Sequence, residues 1–171
     1  MRIFKICKNA PAAGSETDTS ADQMDAALAD GGTADGFKNA RGSTALIKCA
    51  ANERADLVKK LIKAGADVNH QANPGWTALQ MAGTTGNTRT AELLLDAGAI
   101  VDTPDSFGVT PFMNACKEGR TEVVELLIEH DADVAALDNA YKGERPNRWN
   151  ALVYAAEGGY TALVSYLKEI G

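Results

Sequence analysis

The chain repeats itself at a fixed interval, and that constrains its fold more than any other feature. Gly42-Ser43-Thr44-Ala45-Leu46 is followed thirty-three residues later by Gly75-Trp76-Thr77-Ala78-Leu79, and after the same interval by Gly108-Val109-Thr110-Pro111-Phe112. A fourth copy, Trp149-Asn150-Ala151-Leu152, arrives forty residues on, so seven residues have been inserted. Gly65, Gly98, Asp131 and Gly171 each stand nineteen residues after the closing apolar residue of their copy. A period of this length means stacked supersecondary units, each unable to bury its apolar face alone.

Each unit reads as two short helices and a loop. Thr44, Thr77, Thr110 and Asn150 are N-cap types, and Pro111 suits the first helical position, whose N–H has no partner in any case. Small residues follow on the first helix: Cys49-Ala50, Ala82-Gly83, Ala115-Cys116 and Ala155-Ala156. The second helix carries an apolar stripe, as in Leu57, Val58, Leu61 and Ile62 or Val123, Val124, Leu127 and Ile128. Gly65 and Gly98 then end their helices in the left-handed conformation that glycine permits.

These strings resemble the ankyrin repeat, above all Thr77-Ala78-Leu79-Gln80-Met81-Ala82, Thr110-Pro111-Phe112-Met113-Asn114-Ala115 and the inter-repeat Gly65-Ala66-Asp67-Val68-Asn69. The resemblance covers about residues 21–171. It implies an all-α solenoid of helix-turn-helix units joined by β-hairpin-like loops. Ile47, Gln80, Met113 and Val153 replace the family's histidine in every copy, which predicts a lost polar link to the loop. The expected organisation is a flexible lead over 1–20 and a degenerate capping half-repeat over 21–41. Repeats then span 42–74, 75–107, 108–148 (with the insertion) and 149–171.

Composition excludes several functions. The formal charge is −6, from 17 Lys+Arg against 23 Asp+Glu. Nucleic acid and anionic membranes both call for a basic surplus on one face, so neither is an expected partner. No apolar run approaches the roughly 18 residues of a membrane span. Lys5 and Lys8 interrupt the apolar N-terminus, so no export signal is read there. Three widely spaced cysteines, Cys7, Cys49 and Cys116, do not make a disulfide framework, and the expectation is a reduced, cytoplasmic protein. His70 and His130 lie sixty residues apart, with no zinc spacing around them. Neither Gly31-Gly32 nor Gly158-Gly159 has the Lys-Ser/Thr of a phosphate loop. No catalytic, cofactor or metal residues are expected.

The resemblance implies a concave groove lined by first helices and loops, and a protein partner bound there by a monomer. The loop positions that point into it are Ser43, Trp76, Val109 and Trp149, preceded by Arg41, Pro74, Phe107 and Asn147. First-helix positions add Asn52, Thr84, Thr85, Lys117, Glu118 and Glu157. Tryptophan is enriched among binding anchors, and this chain has only 6% aromatics. The plain alternative is that these rings pack against the adjacent loop. The insertion, within 135–148, brings Tyr141, Lys142, Arg145 and Arg148, a basic finger suited to an acidic surface. The expected role is a non-catalytic interaction module, possible roles including inhibitor or immunity protein. The alternatives are an architectural homo-oligomer and, behind it, an enzyme on the same scaffold.

Overall fold

A computed structural model describes residues 2–9, 20–29, 32–36, 38–139 and 148–170. The helices are α1 (Arg2–Asn9), α2 (Ser20–Ala29), α3 (Ala45–Ala51), α4 (Ala55–Lys63), α5 (Ala78–Thr85), α6 (Thr88–Asp96), α7 (Pro111–Lys117), α8 (Thr121–Glu129), α9 (Ala151–Glu157) and α10 (Thr161–Ile170). They pair in chain order, α1 with α2 through α9 with α10. The first helices α1, α3, α5, α7 and α9 stack in one layer, and α2, α4, α6 and α8 stack in a second. The described residues form an all-α array, with one isolated antiparallel bridge between Ala72 and Trp76. None of these helices is long and apolar enough to cross a membrane.

The caps form where the sequence places them. Thr44, Thr77, Thr110 and Asn150 accept from the backbone N–H of Ile47, Gln80, Met113 and Val153, satisfying first-turn donors that have no partner inside the helix. Small residues let the first helices approach closely. A Cβ added to Gly83 would stand 2.8 Å from the Pro111 carbonyl oxygen, so α5 and α7 could not meet as they do with any larger residue. Leu46, Leu57, Leu61, Leu79, Leu94, Phe112 and Leu127 fill the space between the layers and are wholly or almost wholly buried.

Two expectations about the N-terminus are corrected. Residues 2–9 are not a flexible lead but helix α1, which buries Ile3, Ile6 and Cys7 against α3. It completes a helix pair with α2, so the cap is more than a half-repeat. Residues 10–19 lie outside the described residues. Secondly, Cys7 and Cys49 are joined by a disulfide, with Cα atoms 4.9 Å apart. Both stand in the small-residue slot of adjacent first helices, the slot held further along by Ala82 and Ala115. Close stacking is what brings them within bonding range. The reading of three unpaired thiols therefore fails, and the cytoplasmic expectation loses its cysteine argument. Cys116 is free and buried, its thiol pushed up to about 12 by desolvation, as befits a small core residue and not a nucleophile.

A third correction concerns Gln80. It is fully buried, its Oε1 accepts from the Thr77 N–H, and its Nε2 donates to the Val109 carbonyl at 2.8 Å. The polar link from helix to loop is kept in this copy. Ile47, Met113 and Val153 have no side-chain donor with which to make it.

Candidate protein-interaction site

The loops form a regular ladder. Within each turn the N–H of Asn39, Ala72, Asp105 and Asp138 donates to the carbonyl of Ser43, Trp76, Val109 and Trp149. Between turns, Asn73, Ser106 and Asn139 donate at 2.8 Å to the carbonyls of Arg41, Pro74 and Phe107 in the preceding loop. A side-chain acceptor closes three of the turns: Asn39 takes the N–H of Arg41 and Ser43, Asp105 those of Phe107 and Val109, and Asp138 that of Trp149. Ala72 has no such side chain, and there the turn contains a cis Asn73–Pro74 bond.

This ladder carries Trp76, Phe107, Val109 and Trp149 to one side of successive repeats. There they meet α7 and α9 to line a single cleft of about 480 Å³. Lys117 and Glu157, also expected from the sequence, line it as well. Trp76 is 36% exposed, while Trp149 is half-buried and packs edge-on against Tyr154 with ring centroids 5.4 Å apart. Trp149 therefore packs against its neighbours, as the plain alternative expects, and also lines the cleft.

Beneath Trp149 lies a polar network. Asp138 is fully buried and accepts from the Tyr154 hydroxyl at 2.6 Å and from the Trp149 N–H at 3.0 Å. Arg148 donates from Nη2 to the Leu137 carbonyl at 2.8 Å and from Nε to that of Asp138. Its guanidinium thus closes the base of the inserted loop, not a free fork held out to a partner. Tyr141, Lys142, Arg145 and Asn147 lie outside the described residues.

The other expected groove residues do not converge on the cleft. Arg41 and Ser43 belong to the first turn of the ladder. Asn52 donates its side-chain amide to the Cys7 carbonyl, and Glu118 is the C-cap of α7. The Thr84 and Thr85 hydroxyls donate back to Gln80 and Ala82 of their own helix. Sequence reasoning missed Asp105, Asn114, Tyr154 and Gly158, which line the cleft too. Asn114 and Tyr154 each stand four residues after their N-cap, in the register of Lys48 and Met81, and that shared register is the signal that would have found them.

Among the described residues no group of three or more His, Cys, Asp or Glu side chains could hold a metal ion. His70 instead bridges loops, with Nε2 2.8 Å from the Gly42 carbonyl.

Comparison with known families agrees with the geometry. The family described as Ankyrin repeats (3 copies) matches residues 19–105, 46–138 and 101–171, overlapping stretches that cover almost the whole chain. The chain belongs to the ankyrin repeat family. Ankyrin repeats are generally protein–protein interaction modules and typically non-catalytic. No curated protein matches this ankyrin chain.

Proposed function

We propose that this ankyrin protein is a monomeric, non-catalytic binder that holds one partner protein in the Trp76–Trp149 cleft and acts by covering that partner's working surface. The observation that carries the reading is the convergence of Trp76, Phe107, Trp149 and Tyr154 on one cleft in a chain otherwise poor in aromatic residues. Large rings held on a fixed backbone give contact area at little entropic cost, and such anchors dominate protein interfaces. An inhibitor or immunity role is the form of occlusion we infer, supported by an aromatic-lined cleft on the loop side of the repeats. The Cys7–Cys49 disulfide supports an oxidising compartment as the place of action, because such bonds persist there and are reduced in the cytosol.

The test is affinity capture by the parent chain and by Trp76→Ala, whose exposed ring can be removed without opening the core. A partner retained by the parent and lost by the variant supports the cleft. The captured protein is then assayed with increasing amounts of the chain. Loss of its activity at equimolar chain supports occlusion, and binding without loss leaves a tethering role instead. Equal retention by both chains would remove the cleft from consideration.

A further inference from the structure

The chemistry of the cleft narrows what it can hold. Its lining includes four aromatic residues, Trp76, Phe107, Trp149 and Tyr154. The Tyr154 hydroxyl gives its proton to Asp138 and keeps only acceptor capacity, which suits a donor and not an acceptor. Around these rings stand two carboxylates, Asp105 and Glu157, against one ammonium, Lys117. Asp105 uses Oδ1 to close its turn, while Oδ2 and the Glu157 carboxylate take no hydrogen bond from the described residues. Asn114 adds an amide to the same wall.

On the reading that the cleft is the partner site, we infer that it seats a basic side chain, arginine first and lysine second, from an extended segment of the partner protein. A guanidinium lies favourably over an aromatic face, best of all over tryptophan. Its three-carbon stem packs on apolar walls while its head reaches the carboxylates, and its planar fork suits a carboxylate more closely than an ammonium does. A purely apolar side chain would cover Asp105 and Glu157 without giving them a donor, which leaves charged groups desolvated and unpaired. An acidic one would meet two like charges. The net charge of −6 works in the same direction by drawing basic segments to the chain.

The chain has two tryptophans and both line this cleft, so intrinsic tryptophan emission reports on it. Three blocked tripeptides, acetyl-Ala-X-Ala-amide with X as arginine, norleucine or glutamate, are titrated into the full chain while emission is followed. The arginine peptide is expected to half-saturate the change at a concentration about 3- to 10-fold below the norleucine peptide, with the glutamate peptide weakest. That advantage is expected to shrink in about 0.5 M salt and in Asp105→Asn and Glu157→Gln. Asn39 closes the equivalent turn with an amide oxygen, so Asp105→Asn keeps the loop.

A norleucine peptide that binds as well as the arginine peptide overturns the inference. So does an arginine advantage that survives both substitutions, or no response to any peptide up to about 10 mM. If norleucine wins and Trp76→Ala abolishes its effect, the cleft remains the partner site with apolar specificity, and only the basic occupant is lost. If no peptide responds and Trp76→Ala still captures the natural partner, both readings fall.

Discussion

Removing the Cys7–Cys49 bond by Cys7→Ala/Cys49→Ala is expected to lower stability by about 4 kcal/mol. The bond spans 42 positions, and closing a loop of that length removes about 13 cal/mol/K from the unfolded chain, which is about 4 kcal/mol at room temperature. Alanine already fills the same slot at Ala82, Ala115 and Ala155, each fully buried, so the substitution itself brings little further loss. For a chain of this size the cost corresponds to a fall in Tm of about 8–16 °C. Urea unfolding of parent and variant measures the difference directly. Thiol counting checks the premise. The native chain is expected to resist alkylation, because Cys116 is buried with its thiol raised to about 12. Unfolded without reductant, it should take one label, and with reductant all three. Three labels without reductant would show that the bond is absent. A bond present but worth less than about 1 kcal/mol would refute the loop-entropy reasoning.

Glu53 and Asp131 hold left-handed backbone at φ 57° and 61°, so Glu53→Gly and Asp131→Gly should each raise stability by about 0.5–1 kcal/mol, read as a higher Tm by calorimetry. Gly75→Ala should do the reverse by about 2 kcal/mol or more in the same measurement, since its Cβ would lie 2.9 Å from Asp105 Cα and Ser106 N at a φ of 99°. Tyr154→Phe removes a 2.6 Å bond to buried Asp138 and is expected to cost about 1.5–3 kcal/mol in urea unfolding; an unchanged midpoint would mean that the network is not structural. Desolvation raises the Asp102 carboxyl above its ordinary 3.8, and the charge of Asp133 adds to this against the Asp133 N–H, which lowers it. A carboxyl raised in the folded state favours folding below its ordinary value and loses that advantage as pH rises through its folded value. Asp102→Asn is therefore expected to exceed the parent in stability at neutral pH, by about 0.5 kcal/mol at most at this half-open site, and to lose that lead below about pH 3.5.

The helix caps were legible because each depends on local chemistry repeated in register, and the convergence of Trp76, Phe107 and Trp149 because the ankyrin resemblance implies where those loop positions point. Helix α1 was not, although Ile3, Ile6 and Cys7 have the i, i+3, i+4 spacing of a buried helical face. Cys7 precedes Cys49 by 42 residues instead of the repeat's 33, so nine extra residues hide the homology of their slots. The disulfide could not be read from cysteine number either; it follows only once two first helices are known to stack. The Gln80 link is not legible from the missing histidine, because an amide spans the same gap. Arg148 looked like a free basic group because sequence shows its charge and not the two carbonyls at the base of the loop.

The two ends of the array are secured by different means, and the cleft lies toward the second. At the N-terminal end a covalent bond fixes α1 on α3, at a slot where other copies rely on alanine packing alone. Toward the C-terminal end, where seven extra residues interrupt the ladder, buried Asp138 takes over: it closes the turn through the Trp149 N–H and ties α9 down through Tyr154. Trp149, which forms one wall of the cleft, is thereby anchored through its own N–H. Because the Phe107 loop is bonded to the Pro74 loop before it and to Asn139 after it, the facing walls are set by backbone hydrogen bonds and not by the occupant. For the occupant proposed above, little ordering cost would then fall on the cleft, and affinity would depend mainly on how well that occupant matches three rings and two carboxylates.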